Sequence, residues 1–169
     1  MKTLFILRHA KASGPGSAST DFDRPLNERG RTQAADVGTI LRARAIAIEG
    51  IVASPARRVV ETLAGLREAL GSAVEQRLDP RVYSASPEAL AEVIREAGDS
   101  IERLLLVGHN PGLQFLLLDL AQEDSGGHRA AVAAGFPTAA LVELRLEVNH
   151  WRDVAPRSGR IISLVRGRG

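Results

Sequence analysis

The stretch Thr3-Leu4-Phe5-Ile6-Leu7-Arg8-His9-Ala10 holds a short apolar run that stops at two polar side chains. Such a run is typical of a buried β-strand. Similar apolar runs occupy residues 50–53 and 104–107, and each of them is also followed by a segment with polar side chains. The sequence therefore predicts three buried strands, and these decide the fold.

Helix-starting signals separate and follow these strands. Asn27, Ser54, Ser86 and Asn110 are residue types that cap helices with their side chains, and the last three are followed by proline, which suits a first helical turn. The residues after these caps predict helices over about 27–44, 54–70, 86–98 and 110–120. Strand and helix thus alternate over the first 120 residues.

The pattern changes after residue 120. Residues 122–135 are polar and glycine-rich, which predicts a loop, whereas residues 141–147 alternate between apolar and charged side chains. This alternation indicates a strand with one face in water. Shorter strands are predicted at 151–155 and 161–165, and an edge strand at 78–83.

This order of elements predicts an α/β protein, a three-layer α/β/α sandwich whose central sheet is mainly parallel, with antiparallel strands added late. The length of 169 residues suits one domain, and no repeat or linker divides the chain. We therefore expect residues 1–169 to form a single domain. Ligands of such sheets bind beyond the carboxyl ends of the strands.

Composition narrows the classes of function. The chain contains no cysteine, which excludes disulfides, thiolate nucleophiles and cysteine metal ligands. No apolar segment is long enough for a signal peptide or a membrane span, so we expect a cytoplasmic location and no membrane partner. Aromatic residues make up 4% of the chain and are not interleaved with basic ones, which argues against a nucleic-acid partner. Histidines and acids show no metal-ligand spacing, so neither a metal nor a cofactor is expected.

Cationic and imidazole side chains follow each buried strand. Arg8 and His9 follow the first, Arg57 and Arg58 come shortly after the second, and His109 follows the third. Because neighbouring parallel strands end at the same edge of a sheet, these side chains should surround one pocket. Guanidinium groups fit the oxygens of a phosphoryl group, and a neutral histidine can act as a covalent nucleophile. The sequence therefore predicts phosphoryl-transfer chemistry.

Four segments resemble, in order and spacing, the motifs of the histidine phosphatase superfamily, also called the phosphoglycerate mutase-like family. They are Leu7-Arg8-His9-Ala10, Asp21-Phe22-Asp23-Arg24-Pro25-Leu26-Asn27-Glu28-Arg29-Gly30, Ser54-Pro55-Ala56-Arg57-Arg58-Val59-Val60-Glu61-Thr62 and Val107-Gly108-His109-Asn110. The second segment is similar to a loop of the short bacterial branch, the SixA-type phosphohistidine phosphatases. The resemblance covers essentially the whole chain and implies the phosphoglycerate mutase-like fold.

The resemblance also implies a role for each matched residue. His9 would be the nucleophile that becomes phosphorylated, Arg8 and Arg58 would bind the phosphoryl group, and His109 would contact the phosphoryl oxygens. Arg57 does not align with the arginine of its motif. Neighbours on a helix point about 100° apart, so only one of the two arginines can easily face the pocket.

The remaining candidates concern the pocket mouth and proton transfer. Lys11 and Arg24 are predicted to contact the substrate at the mouth. Larger members of the family carry a glutamate acid in an inserted segment for which this chain is too short, and Glu88 is a candidate acid only by position. An alcohol leaving group needs a proton donor, whereas imidazole departs readily because its conjugate acid has a pKa of about 6.5. The missing acid therefore favours phosphohistidine as the substrate.

The expected function is hydrolysis of phosphohistidine in a protein through a phospho-His9 intermediate, without metal or cofactor. Two alternatives stay open. A small phosphorylated metabolite or nucleotide would use the same chemistry, and we would then expect a deep pocket lined by Asp23, Arg24 and Glu88. A module that binds a phosphorylated ligand without turnover is the other alternative, although binding alone does not need the nucleophile.

Overall fold

The computed structural model describes residues 1–70 and 74–169 of the chain. Within them, one sheet contains the strands β1 (Lys2–Arg8), β2 (Gly50–Ala53), β3 (Glu75–Leu78), β4 (Arg103–Gly108), β5 (Ala140–Leu146) and β6 (Gly159–Arg166). The α-helices are α1 (Glu28–Ala43), α2 (Arg57–Leu70), α3 (Pro87–Arg95), α4 (Gly112–Leu120) and α5 (His128–Ala134). None of these helices, in the part of the chain described, is long and apolar enough to cross a membrane.

The strands are ordered β3-β2-β4-β1-β5-β6 across the sheet. The first four in this order are parallel to one another, whereas β5 pairs antiparallel with β1 and β6 pairs antiparallel with β5. The predicted fold class, a mainly parallel sheet with antiparallel strands added late, is therefore confirmed.

Helices cover both faces of the sheet. In β1, Leu4 and Ile6 belong to a core shared with α3 and α4, while Phe5 and Leu7 belong to a second core shared with α1 and α2. This division follows from the period of a strand, in which successive side chains point to opposite faces. Because both faces are buried, the central strands need apolar residues at every position, which explains their continuous apolar runs.

The parallel strands β1, β2 and β4 end together at one edge of the sheet. Arg8 at the end of β1 pairs with Gly108 at the end of β4, and Ala53 at the end of β2 pairs with Val107 of β4. The residues that follow these strands are consequently neighbours, as the sequence predicts.

Two of the predicted helix caps are confirmed. The Asn27 side chain accepts a hydrogen bond of 2.8 Å from the Gly30 N–H at the start of α1, and the Ser86 side chain accepts one of 3.2 Å from the Ala89 N–H at the start of α3. A Cβ at Gly30 would collide with the backbone of Lys11, so glycine allows α1 to lie against the loop that follows β1.

The predicted caps at Ser54 and Asn110 are wrong, since α2 and α4 begin later in the chain. The Ser54 hydroxyl is hydrogen-bonded to the ring of His109, and the Asn110 amide donates to the carbonyl oxygen of Phe136. Both side chains therefore form hydrogen bonds near the ends of the strands rather than capping a helix.

Three predictions for other segments are also wrong. The edge strand is β3, which ends before Asp79; the Asp79 carboxylate then accepts the Arg81 N–H, and residues 80–82 form a 3₁₀ helix. Residues 151–153 also form a 3₁₀ helix instead of a strand. The predicted loop over residues 122–135 contains α5, because the Asp124 carboxylate accepts the N–H groups of His128 and Arg129 at its start.

Candidate active site

A cavity of about 240 Å³ lies where β1, β2 and β4 end. It is lined by Arg8, His9, Lys11, Ala12, Arg24, Arg58, His109, Asn110 and Thr138. The structure thus brings together side chains that the sequence places after separate strands. Among the described residues, the lining includes four cationic side chains and no carboxylate, so the cavity is suited to an anion.

His9 is buried at the end of β1, with 7% of its surface exposed. Its Nδ1 lies 2.7 Å from the carbonyl oxygen of Ala10. A carbonyl can only accept, so Nδ1 carries the proton and Nε2 keeps its lone pair. Burial lowers the pKa of His9 to about 4, and the charges of Arg58 and Arg8 act in the same direction. His9 is therefore a neutral base at pH 7.

The ring of His109 faces that of His9, with the two centroids 5.2 Å apart. His109 Nε2 lies 2.8 Å from Ser54 Oγ, and no other acceptor for the Ser54 hydroxyl occurs among the described residues. The hydroxyl therefore donates to Nε2, which places the proton of the neutral ring on Nδ1. Burial lowers the pKa of His109 to about 3, and Nδ1 is buried without a hydrogen-bond partner in the described part of the chain.

Arg8, the last residue of β1, presents a second unpaired donor. Its Nη1 donates to the carbonyl oxygen of Phe136 at 3.0 Å, while Nε is buried and has no partner among the described residues. Burial lowers the pKa of Arg8, with a further contribution from Arg58, yet a guanidinium keeps its charge in proteins. Buried donors without partners are rare, and a phosphoryl oxygen in this cavity would supply the acceptor.

Arg57 and Arg58 lie in the first turn of α2 in different surroundings. The Arg58 side chain is 8% exposed and lines the cavity. The Arg57 side chain is 57% exposed, and its Nε forms an ion pair of 2.9 Å with Glu61. The structure thus places Arg58 in the cavity, as the resemblance implies, and leaves Arg57 on the surface.

Asp21, in the loop between β1 and α1, holds three side chains at the mouth of the cavity. Its carboxylate accepts hydrogen bonds from the Tyr83 hydroxyl (2.7 Å), Arg24 Nη1 (2.8 Å) and Arg58 Nη2 (3.0 Å). These donors, the Tyr83 hydroxyl first, hold the pKa of Asp21 far below its usual range, so Asp21 cannot act as a general acid near neutral pH. The Tyr83 ring also packs edge-on against His109. Neither Asp21 nor Tyr83 receives a role from the sequence.

Lys11 and Arg24 line the cavity, whereas Asp23 and Glu88 do not. Asp23 accepts a hydrogen bond from Thr20, and Glu88 is exposed in the first turn of α3. Glu88 is therefore placed as a helix-terminal glutamate, and the structure does not bring it to the reacting groups. Within the described residues, no candidate acid lines the cavity.

Asn110, Thr138 and the Phe136 carbonyl are site groups that the sequence does not predict. The Asn110 amide donates to the Phe136 carbonyl at 2.8 Å, and its Oδ1 is buried without a partner among the described residues. Phe136 and Thr138 precede β5, and the N–H of Ala139 donates to the His9 carbonyl at 3.2 Å. Asn110 directly follows His109, so its place follows from the end of β4, whereas the only signal for Phe136 and Thr138 is the pairing of β5 beside β1, which a single sequence does not reveal.

Comparison with known proteins identifies the family. The model of the histidine phosphatase superfamily (branch 1) matches residues 4–86, which include the first three resembling segments. The chain belongs to the histidine phosphatase superfamily. Among curated relatives of this chain, an uncharacterised Mycobacterium tuberculosis protein is 36% identical over 160 residues, covering 92% of this chain and 96% of the relative. An uncharacterised chloroplastic protein of Arabidopsis thaliana is 30% identical over 167 residues, covering 94% and 72%.

Solved structures show the same fold. A candidate phosphohistidine phosphatase SixA from Agrobacterium tumefaciens is 27% identical with a TM-score of 0.82, covering 97% of each chain. The protein histidine phosphatase SixA complexed with tungstate is 19% identical with a TM-score of 0.78, covering 98% of this chain and 97% of that one. A mycobacterial glucosyl-3-phosphoglycerate phosphatase with VO₃ is 20% identical with a TM-score of 0.64, covering 97% of each.

These comparisons confirm the SixA-type family resemblance and the phosphoglycerate mutase-like fold. Membership of this superfamily supports phosphatase activity. The structural relatives act on different phosphorylated compounds, so the substrate must be argued from the residues of this chain.

Proposed function

We propose that this histidine phosphatase hydrolyses phosphohistidine in a protein, through a covalent phospho-His9 intermediate and without a metal ion. One observation carries the proposal: a neutral His9 with a free Nε2 lies in a cavity lined by four cations and no described carboxylate. The proposal includes a cytoplasmic location and one catalytic domain over residues 1–169.

In the first step, the lone pair of His9 Nε2 attacks phosphorus, and the bond between phosphorus and the leaving nitrogen breaks. The Nδ1–H of His9 stays hydrogen-bonded to the Ala10 carbonyl, which stabilises the positive charge that develops on the ring. Arg8, Arg58 and the Nδ1–H of His109 donate to the phosphoryl oxygens. Positioning and charge stabilisation of this kind supply most of the catalysis in phosphoryl transfer.

In the second step, water attacks the phosphorus of phospho-His9. The bond from phosphorus to Nε2 breaks, its electron pair returns to Nε2, and the protons of the water leave with inorganic phosphate or pass to solvent. Because Nδ1 keeps its proton throughout, His9 departs as neutral imidazole and needs no acid. The enzyme returns to its starting protonation state.

The leaving group decides the choice of substrate. A substrate imidazole that is protonated on its second nitrogen departs as a neutral ring with a conjugate-acid pKa of about 6.5. An alkoxide has to be protonated as it departs, and a positioned acid contributes about 10²–10⁴ in rate to such steps. With Asp21 ionised and Glu88 outside the cavity, this site is suited to imidazole and poorly suited to alkyl esters.

A small phosphorylated metabolite is the second candidate, and the positions of Lys11 and Arg24 favour it. These side chains extend the positive charge of the cavity beyond Arg8 and Arg58, where a second anionic group of a metabolite could bind. The deep pocket expected for such a substrate would also include Asp23 and Glu88, and neither residue lines the cavity.

A substrate panel tests the proposal. We would compare kcat/KM for a phosphohistidine peptide, an alkyl phosphate, an aryl phosphate and a nucleotide, each with and without a chelator. We expect the phosphohistidine peptide to exceed the alkyl phosphate by at least about 100-fold, because only the ester requires the missing acid. We expect the aryl phosphate to lie between them and the chelator to have no effect.

Two results would contradict the proposal in different ways. Faster hydrolysis of the alkyl phosphate or the nucleotide would show that a proton donor acts at the site and would favour the metabolite. Binding of the phosphorylated compounds without turnover of any of them would favour the non-catalytic module.

A further inference from the structure

A groove of about 700 Å³ lies between α1 and the end of β6, and the proposed reaction does not use it. Its lining includes Arg29 of α1, Arg44 directly after α1, Arg166 of β6 and Arg168, which follows β6. Asp36 is the acidic side chain in the lining. We call this surface the basic groove.

The four arginines of the basic groove are available to a ligand. All four side chains are exposed, and none of their guanidinium groups is hydrogen-bonded or ion-paired within residues 1–70 and 74–169. Asp36 is already engaged, since its carboxylate accepts the backbone N–H of Arg168 at 2.7 Å. Even if a terminal carboxylate at Gly169 is counted, positive charges outnumber negative ones in the groove. The groove therefore carries a net positive charge, which attracts an anionic partner.

The basic groove adjoins the catalytic cavity. The backbone of Ala139 connects them: its N–H donates to the His9 carbonyl at 3.2 Å, and its carbonyl accepts the Gly167 N–H at 3.0 Å. Gln33 of α1 forms a second connection, because its Oε1 accepts the Lys11 N–H at 2.9 Å and its backbone packs against Gly167. The two sites are therefore neighbours separated by these residues, and one polypeptide could reach both.

The length of the basic groove favours a polypeptide over a small molecule. Arg29, Asp36 and Ile40 are spaced by seven and four positions, which places them on one face of α1, and Arg44, the residue after the helix, follows four positions later. At 1.5 Å per residue, the distance from Arg29 to Arg44 is about 22 Å, the length of about seven residues of extended chain. Ile40 and Val165 supply apolar contacts between the arginines.

We propose that the basic groove binds an acidic segment of the phosphoprotein substrate while its phosphohistidine occupies the cavity. This inference rests on the proposed function and adds the chemistry of the partner. Surface charges of this kind act mainly on the rate of encounter and are screened by salt, with a Debye length of about 8 Å at physiological ionic strength.

A pair of synthetic peptides tests the inference. Both carry phosphohistidine and the same neutral spacer, and one ends in a glutamate-rich segment whereas the other ends in glutamine. The readout is the ratio of kcat/KM for the acidic peptide to that for the neutral one, measured for each enzyme, so that any change at the cavity cancels. We expect a ratio of at least about 10 for the wild type at low salt, falling towards 1 as salt is raised.

The variant Arg44→Glu/Arg166→Glu/Arg168→Glu should lower this ratio to 1 or below. The control Arg145→Glu/Arg152→Glu/Arg157→Glu changes the net charge equally at exposed arginines outside the basic groove and should keep the wild-type ratio. A wild-type ratio near 1, or the same loss in both triple variants, would overturn the inference.

Binding of the unphosphorylated acidic peptide, followed by fluorescence anisotropy, separates this inference from the proposed function. Binding that is lost in the groove variant and kept in the control supports the basic groove even if phosphohistidine is not the substrate. Turnover of both phosphohistidine peptides at equal rates, without acidic-peptide binding, refutes the groove and leaves the proposed function standing.

Discussion

The ends of β1 and β4 each contribute a histidine to the same cavity, and the two rings carry their protons on opposite nitrogens. His9 donates from Nδ1 to the Ala10 carbonyl and keeps the lone pair of Nε2. His109 accepts from the Ser54 hydroxyl at Nε2 and keeps the proton on Nδ1. Burial lowers the pKa of both, to about 4 and about 3, so both are neutral at pH 7.

The difference shows that the neighbouring hydrogen-bond partner, rather than the residue type, separates the two roles. A carbonyl can only accept, so it turns one imidazole into a base, and a hydroxyl that donates turns the other into a donor. The reaction needs one of each, since a nucleophile requires a lone pair and a phosphoryl oxygen requires an N–H group. Two histidines whose ring centroids are 5.2 Å apart thereby acquire complementary functions.

Replacing each histidine by alanine should give the largest effect and the clearest contrast. We expect His9→Ala to lose at least about 10⁴ in kcat and to form no phosphoenzyme, because the attacking atom is gone. We expect His109→Ala to lose about 10²–10³ but still to become phosphorylated, because only one donor to the oxygens is missing. A ³²P-phosphohistidine peptide is the substrate for both measurements. The label that stays on the protein after a quench in base measures the phosphoenzyme, and the release of labelled phosphate measures kcat.

The surface variant His150→Ala controls for the loss of a histidine outside the cavity and should be labelled like the wild type. Labelled His9→Ala protein would refute the covalent mechanism. Equal losses in His9→Ala and His109→Ala, with no label in either, would refute the division of roles.

Much of this site follows from local sequence signals. The continuous apolar runs locate β1, β2 and β4, because strands buried on both faces must be apolar throughout. Since those strands are parallel, the residues after them have to meet, and Arg8, His9, Arg58 and His109 do line one cavity. The Asn27 cap is local too, and it is confirmed.

The parts that the sequence does not predict depend on neighbours distant along the chain. Ser54 followed by proline has the local features of a helix cap, yet its hydroxyl donates to His109, which follows another strand, β4. Phe136 reaches the cavity only because β5 pairs antiparallel with β1, and its carbonyl accepts from both Arg8 and Asn110. Such hydrogen bonds join segments far apart in sequence, so no local pattern marks them.

Removing the Ser54 hydroxyl should weaken the contrast between the histidines without abolishing catalysis. In Ser54→Ala, His109 can exchange its proton between both ring nitrogens, so we expect kcat to fall about tenfold with little change in KM, the loss of one modest hydrogen bond. The ¹⁵N shifts of His109 should change from the Nδ1–H pattern to a mixture, while those of His9 stay the same. An unchanged His109 spectrum would show that Ser54 does not fix the proton.

In stability, by contrast, the two histidines should behave alike, because both are neutral in the folded protein. The pKa of His9 is about 4 when folded and about 6.5 when unfolded, so between these values the unfolded chain binds more protons. Its contribution to the free energy of unfolding is complete above pH 6.5 and decreases as the pH is lowered towards 4, by roughly 3 kcal/mol at most. His109 acts in the same direction down to a pH of about 3.

We therefore expect urea unfolding of His9→Asn and of His109→Asn to depend less on pH between 7 and 4 than that of the wild type. If one variant kept the full wild-type dependence, the pKa of that ring would be the same in the folded and the unfolded chain, about 6.5, and burial would not be what keeps the ring neutral.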